Sequence, residues 1–441
     1  CASYLNERFG TDWCLSPEQS ISLHAGNRTV PPQLLVRSPK GDNKITELPH
    51  GTSLLSVRYN MPEQRDIEII NGLCLYALVP ALIDCSPRFF QQKPTDIRAT
   101  LATITDASEL LAKLLEGGHT TIAGRLAGAF RNLGRDRIAD DIVATMRAAS
   151  YDVRESDPFE TKPPIILSDR EQSPYVTRMR LLWRAMREPI IERFPKSPGL
   201  TKDMEGYMQH VDGIYVTDAY HSLSIEGYRV SAELIERVRN QNWNPDNNEE
   251  DREHRNALAA RGYYQAFQVV RDSVKKVLNG KNPGTVVDDD HRTWYRELFA
   301  PGIAAGLLQP ADLAGYRNGP VYIRRSMHTP PNREAVRDLM PAFFDLLTNE
   351  PDPAVRVVLG HFMFVYIHPY MDGNGRIGRF LMNVMLAAGG YPWTVIPVEE
   401  RNAYMAALEV ASVGEDIVPF ADFLGTLVKA NLDGKSAPTV P

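Results

Sequence analysis

Residues 351–390, PDPAVRVVLGHFMFVYIHPYMDGNGRIGRFLMNVMLAAGG, constrain the fold of this chain more than any other stretch. Asp352 followed by Pro353 is an N-cap and first-turn signal, and the run to Ile367 is apolar on all sides. A helix without a polar face has to be buried, so the pattern predicts a helix in the middle of a bundle. Pro369 disfavours helical geometry at His368 and ends the helix there. DGNG at 372–375 then makes a tight turn, and RIGRFLMNVMLAAGG resumes helical periodicity until Gly389-Gly390.

The same letters carry chemistry. Amides exposed at a helix N-terminus, with Gly373 and Gly375 permitting close backbone approach, form a cradle for phosphate, and the helix dipole favours an anion there. Arg376 and Arg379 are three apart on the first turn and can face one anion. Asp372 is the carboxylate that Mg²⁺ beside bound phosphates would need. His368, with a pKa near neutrality, is placed to take a proton from an attacking hydroxyl. Base, metal ligand, amide cradle and arginines together describe a nucleotide phosphate site. Gly373, Gly375 and Gly378 also satisfy G-x-G-x-x-G, but that dinucleotide fingerprint follows a strand, and here a capped apolar helix precedes it. A plain capped turn with solvated arginines would not need so many chemically demanding residues in one place.

The 441 residues are enough for two or three domains, and 43% hydrophobic with 24% charged residues is the composition of a soluble globular protein. A net charge of −6 does not advertise nucleic acid or an anionic membrane as a partner. The longest apolar run, GLCLYALVPALI at 72–83, is too short to span a bilayer and reads as core. Cys1, Cys14, Cys74 and Cys85 have neither a CxxC pair nor a His at ligand spacing, so buried thiols and a cytoplasmic, reducing address are expected. No signal peptide opens the chain, and Cys1 in place of Met leaves the natural N-terminus expected further upstream.

A polar, proline-bearing stretch at 154–174 reads as a linker, which gives an α+β accessory region at 1–155, a linker at 156–174, a catalytic region at 175–432 and a tail at 433–441. Residues 30–60 alternate short apolar runs with Gly, Pro and Asn turns and predict a small sheet; residues 95–149 carry helical periodicity. After the linker, helices are expected near 175–192, 202–226, 231–239, 251–279, 291–299, 333–348, 353–367, 376–388, 399–411 and 417–431. QNWNPDNNEED at 241–251 reads as a surface loop, and RNGPVYIRRSMHTPP at 317–331 as a short hairpin turning at Asn318-Gly319.

HPYMDGNGRIGR matches the signature of the Fic family, H-P-[FY]-x-[DE]-G-N-[GK]-R-x-x-R, at every fixed position. The resemblance implies a mainly α fold: a Fic-type helical bundle with a β-hairpin flap, here preceded by a smaller α+β region. It also implies transfer of AMP from ATP to a Ser, Thr or Tyr hydroxyl of a target protein, with Mg²⁺ or Mn²⁺ as cofactor. His368 would be the general base, Asp372 the metal ligand, and Gly373, Asn374, Gly375, Arg376 and Arg379 the phosphate contacts. Gly375 stands where a lysine marks the family branch that transfers phosphate, which favours adenylylation, although relatives that transfer other nucleotides or phosphocholine exist.

The hairpin resembles the family's flap, whose backbone pairs with an extended target segment, with Val321, Tyr322, Ile323 and Arg324 as docking residues. Asn402, Tyr404 and Leu408 resemble the helix that closes over adenine and ribose. SLSIEG at 222–227 resembles the family's inhibitory pattern [ST]-x-x-x-E-[GN]. Met204, Met208, Val211, Tyr215 and Ala219 recur at helical spacing ahead of it, so Ser222 and Glu226 fall on one face near a helix end closed by Gly227. Glu226 would then pair with Arg379 and restrain it; in some relatives this glutamate instead orients a water that removes AMP.

The resemblance does not extend to residues 1–155, whose texture distantly resembles antitoxin-type regulators of abortive-infection systems. A partner-docking or target-selecting role is expected for this region, and a basic helix face of Arg125, Arg131, Arg135 and Arg137 for nucleic acid is the alternative. Expected partners are therefore ATP and a target protein, with no membrane. A homodimer and a regulatory binding role are left open.

Overall fold

Asp352 caps the central helix as its sequence implies: its Oδ1 accepts from Ala354 N at 2.9 Å and Val355 N at 3.1 Å, and the helix runs Pro353–Ile367. In the computed structural model, which describes residues 2–162, 173–240, 255–435 and 438–440, almost every side chain of this helix is buried. Val357, Phe362, Met363 and Phe364 are fully shielded, each contributing roughly 1.5–3 kcal/mol of hydrophobic stabilisation. Gly360 lies under Leu381 and Leu347, which lets the following helix, Asn374–Ala388, pack close against it.

The chain divides into two compact units, Cys1–Ala185 and Met186–Pro441, with the division inside the helix Pro174–Arg193. The second unit is helical among its described residues. Helices Met204–Ile225, Ala232–Arg239, Arg255–Leu278, Arg333–Asn349, Arg401–Gly414 and Val418–Leu432 lie close to the expected spans. The expected helix at 291–299 is longer, Pro283–Ala304, because Asn282 Oδ1 accepts from Gly284 N and Thr285 N and Pro283 fills the first position. A Cβ at Gly262 would collide with Leu298 O, so glycine there sets the close packing of Arg255–Leu278 on this helix. The loop expected at 241–251 lies outside the described residues.

The hairpin expected at 317–331 has no strand ladder. Its chain reverses instead at Arg324-Arg325, where Ser326 N reaches Ile323 O at 3.1 Å and Arg325 takes φ 64. Asn318 does not form the turn, because its carbonyl and side-chain oxygens accept from Arg333 and Arg337. Pro320, Pro330 and Pro331 also remove the donors that a ladder would need.

In the first unit, strands β1 (Cys14–Leu15), β2 (Gln33–Ser38), β3 (Lys44–Leu48) and β4 (Thr52–Arg58) form a sheet in the order β1-β2-β4-β3. β2 and β4 are parallel and the other pairs antiparallel. The run at 72–83 divides into β6 (Leu73–Tyr76), paired with β5 (Ile67–Ile70), and a helix at Leu78–Asp84. Asn71 and Gly72 both have positive φ, as the tight hairpin turn between β5 and β6 requires. Helices Pro94–Thr103, Ser108–Glu116, Thr120–Asn132 and Asp136–Ala148 complete the expected helical half.

Two expectations for this unit change. Residues 154–162 are not a free linker: Ser156 N bonds Gly124 O at 3.1 Å, Phe159 packs on Phe90, and Gly124 and Gly128 make room for the crossing backbone. The remainder of the expected linker, 163–172, lies outside the described residues. Nor do the four arginines make a basic face: Arg137 is exposed, but the other three do not join it. Arg125 is buried over the Phe90 ring, Arg135 is buried with its guanidinium on Ala102 O, and Arg131 is neutralised by Glu155, Asp140 and Asp136. Cys14 and Cys85 are buried free thiols, and Cys74 is partly exposed. Among the described residues, no helix is long and apolar enough to cross a membrane.

Candidate functional site

The end of the central helix places His368. As its C-cap the residue adopts the left-handed conformation, φ 53 and ψ 59, which turns the chain into the glycine loop. His368 Nδ1 lies 3.2 Å from Val365 O. A carbonyl can only accept, so that nitrogen carries the hydrogen and Nε2 keeps its lone pair for a proton. Burial lowers the imidazole's pKa below its ordinary 6.5, which keeps this nitrogen neutral at physiological pH.

The loop after His368 is held from inside. Asn374 accepts from Tyr370 N and donates to Tyr370 O, each at 2.9 Å, so its side chain staples the turn and does not face outward as a phosphate contact. Tyr370 in turn stacks on Tyr295, with ring centroids 3.9 Å apart and planes within 5°. Gly373 has φ 83, and a Cβ there would strike Phe299, so only glycine fits. The first turn of Asn374–Ala388 has no side-chain cap at Gly373, and amides at such a helix N-terminus can bind an anion.

Arg376 is almost wholly buried between two rings, its Cζ 5.2 Å from the Tyr228 centroid and 5.1 Å from that of Phe299. Its Nη2 is 3.3 Å from Asp372 Oδ2, and its Nε has no hydrogen-bond partner. The Asp372 side chain is 62% exposed, and its other oxygen accepts from Gly373 N at 2.6 Å. This is one carboxylate at the rim of the amide cradle. Among the described residues no group of three or more His, Cys, Asp or Glu is gathered that could hold a metal ion. A cation at Asp372 would have to take its other ligands from phosphate oxygens and water.

Arg379, only 4% exposed, is gripped by the end of helix Met204–Ile225. Its Nε donates to Ser222 Oγ at 2.8 Å, and its Nη2 donates to Ser222 O at 3.0 Å and Glu226 Oε1 at 2.7 Å. Burial alone would raise the Glu226 pKa, but Arg379 and then Arg376 outweigh it and hold the carboxyl below the ordinary 4.5. For Arg379, burial pulls the pKa down and the Glu226 carboxylate is the chief group opposing it, the net shift being upward. The Glu226 carboxylate occupies the space over Gly375: a Cβ at that position would collide with Oε1. Arg379 Nη1 lies 3.2 Å from the same point and has no partner. Arg401 Nε bonds Ile225 O at 2.7 Å and ties down the last turn of the gripping helix.

Asn402 and Tyr404 do not share a surface. Asn402 is exposed, whereas Tyr404 is buried with its hydroxyl 2.6 Å from His361 Nε2. Tyr404 lies in the core beside Arg379, and burial pushes its phenol up to about 12, so it is neutral there. In the segment expected as a flap, Tyr322 is 77% exposed and Arg324 exposed, while Val321 and Ile323 are half-buried. Glu409 fixes the far limb, accepting from Ser326 Oγ at 2.5 Å and Met327 N at 2.7 Å.

Sequence reasoning missed Tyr228, Phe299, Arg317 and Arg401. Tyr228 adjoins SLSIEG and was within reach of that motif, but the others arrive from distant helices and loops with no local signal.

Residues 289–386 match the model of the Fic/DOC family. Ser222 and Glu226 lie upstream of that match. The chain is 30% identical over 233 residues to the protein adenylyltransferase Fic of Drosophila willistoni, covering 52% of this chain and 41% of that protein. It is also 30% identical over 244 residues to that of Nematostella vectensis, covering 53% and 50%. The chain thus spans half or less of the length of these curated relatives. Among solved structures, Fic-1 (aa134–508) from C. elegans is similar with a TM-score of 0.42 and 19% identity, covering 78% of this chain and 97% of that one.

Proposed function

The chain carries a Fic/DOC-family domain over residues 289–386, and from that premise we propose that it is a protein adenylyltransferase restrained by its own Glu226. In the reaction, His368 Nε2 takes the proton of a Ser, Thr or Tyr hydroxyl on a target protein. The hydroxyl oxygen bonds the α-phosphorus of ATP, the bond to the β-phosphate oxygen breaks, and pyrophosphate leaves. The amides of the first turn at Asn374, Gly375 and Arg376, with the Arg376 and Arg379 guanidiniums, hold the phosphates and offset charge as it develops. A Mg²⁺ or Mn²⁺ ion bound by Asp372 and the nucleotide would neutralise phosphate charge when present.

Restraint follows from geometry. One guanidinium cannot serve Glu226 and a γ-phosphate together, and the carboxylate lies over the glycine whose amide belongs to the cradle. ATP held without Arg379 would present its α-phosphorus out of line for attack, and misplacement of this kind costs on the order of 100-fold in rate. The observation that carries this reading is the 2.7 Å contact of Arg379 with Glu226 beside Gly375. A cytoplasmic address belongs to the same reading, with Cys14, Cys74 and Cys85 present as free thiols although the first two adjoin each other.

Intact-mass spectrometry after incubation with Mg²⁺ and ATP tests it, using wild type, Glu226→Gly and Glu226→Gly/His368→Ala. An AMP-sized gain confined to the single mutant is expected. No gain in any form, with ATP binding demonstrated separately, would sink the self-restrained transferase reading.

A further inference from the structure

The C-terminal end of the helix that carries His368 presents carbonyls that the helix cannot satisfy itself. Each finds a donor. His368 N reaches Phe364 O at 3.0 Å, His368 Nδ1 lies 3.2 Å from Val365 O, and His328 Nε2 lies 2.9 Å from Tyr366 O. Arg317 supplies the rest: Nη2 to Ile367 O at 3.4 Å, Nε to His368 O at 2.8 Å, and its backbone N to Pro369 O at 2.9 Å. The same guanidinium also bonds Gly319 O at 3.2 Å and Pro331 O. Arg317 is 2% exposed.

These contacts join two things that the transfer reaction needs in register. Gly319 and Pro331 are the feet of the segment whose exposed middle, around Tyr322, is available to an extended target chain. Ile367, His368 and Pro369 are the backbone that aims the base. A left-handed conformation at a residue other than glycine persists only where its surroundings over-determine it, and Arg317 binds the carbonyls on both sides of the residue and its own. Only a planar fork with several N–H groups can reach four carbonyls at once; an ammonium is a point donor.

We infer that Arg317 is a positioning residue for the proposed transfer, setting the His368 base and the feet of the target-docking segment with one guanidinium. It acts through His368 and the segment, and the inference rests on the transferase reading above.

The test uses the full chain as Glu226→Gly, with self-modification by Mg²⁺ and ATP read by mass spectrometry. Arg317→Gly is expected to slow AMP transfer on the order of 100-fold while the Kd for ATP stays at the parent value. Added methylguanidinium, but not methylammonium, is expected to restore part of the rate. Arg317→Lys keeps the charge and the stem and is expected to fold yet remain slow. Parent-level transfer by either variant, loss of ATP affinity in step with rate, or no rescue of a folded Arg317→Gly protein overturns the inference. If the Glu226→Gly parent transfers nothing, the transferase reading fails on its own. Hydrogen exchange at the His368 amide then decides the positioning claim: Arg317→Lys is expected to speed it about 10-fold or more, and unchanged exchange overturns it.

Discussion

Arg379 Nη2 donates to Glu226 Oε1 at 2.7 Å, across 153 positions of sequence. Glu226 is the C-cap of helix Met204–Ile225 and is followed by Gly227 at φ 87, so the carboxylate stands on a turn, not inside a helix. Arg379 is on the first turns of a helix packed into the core. Arg379 is thus fixed within the core, while Glu226 stands on a helix end that Arg401 holds through Ile225 O.

Removing the carboxylate should free the fixed partner. A hydrogen bond between charged groups is worth about 1.5–3 kcal/mol, so Glu226→Gly is expected to raise AMP transfer roughly 10- to 150-fold. Glu226→Gln, which keeps an acceptor but loses the charge, should fall between. Initial rates with labelled ATP check this, and a Gln variant faster than the Gly variant would contradict the charge argument.

Ser222 holds Arg379 Nε at 2.8 Å from one turn earlier on the same helix. Ser222→Ala leaves that buried N–H without its partner, at a cost of about 1–3 kcal/mol in stability. The guanidinium also loses one of the contacts that aim it at Glu226, so basal transfer is expected to rise, though less than in Glu226→Gly. Thermal melts with rate measurements on one preparation separate the two effects. A lower melting temperature with unchanged basal transfer would assign Ser222 to stability alone.

The parts of this site visible in the sequence are those set by short-range rules. Asp352-Pro353 caps a helix, His368-Pro369 ends it, and the glycines of 372–375 start the next; each acts within one turn of its own position, and the structure matches. The spacing of Ser222 and Glu226 is likewise a property of one helix. Arg317 and Phe299 had no such signal, because what they do is decided by packing between elements far apart in sequence. Tyr404 stayed open between core and ligand for the same reason. An aromatic on an amphipathic helix gives no local indication of which face it takes, and only the buried His361 partner decides it. The segment at 317–331 carries a hairpin composition, yet contacts from Arg317, Arg333 and Arg337 override the Asn-Gly turn.

The pH dependence has a defined sign. Burial lowers the pKa of His368 below 6.5, and the neutral form is the base. Transfer by Glu226→Gly should therefore rise with pH through a midpoint below 6.5 and be level near neutrality. The Glu226 charge opposes that lowering, so its removal moves the midpoint further towards acid. Glu226 has a depressed pKa, so its pairing contributes stability above the unfolded value of 4.5 and loses it only as pH falls through the lower folded value. Restraint should accordingly be constant wherever His368 is active. Rate profiles of wild type and Glu226→Gly between about pH 5 and 8 test both statements, and a midpoint above 6.5 would rule out a buried neutral base.

Tyr404 and Asn402 separate core from ligand contact. Tyr404→Phe leaves His361 Nε2 without its hydroxyl partner and is expected to cost about 1–3 kcal/mol in unfolding free energy, with ATP affinity unchanged. Asn402→Ala, at an exposed position, should change stability by less than about 0.5 kcal/mol, so any weakening of ATP binding would report direct contact. Chemical denaturation and calorimetric titration with ATP read the two quantities. Weaker ATP binding in a fully stable Tyr404→Phe would return that tyrosine to the nucleotide.

Glu409 tests the target-docking segment without touching the phosphates. Its two oxygens hold Ser326 Oγ and Met327 N, so it fixes the limb on the far side of the Arg324-Arg325 reversal from Arg317. Glu409→Gln preserves shape but weakens a bidentate charged acceptor and allows that limb more freedom. The expected result, in the Glu226→Gly form, is a KM for a protein or peptide acceptor raised about 5- to 10-fold, the equivalent of 1–1.4 kcal/mol, with the KM for ATP unchanged. Removing Glu409 acts on one limb and leaves the Arg317 contacts to His368 in place, so kcat at saturating acceptor should stay close to the parent value. A fall in kcat with an unchanged acceptor KM would mean that the segment aims the base and does not dock the target.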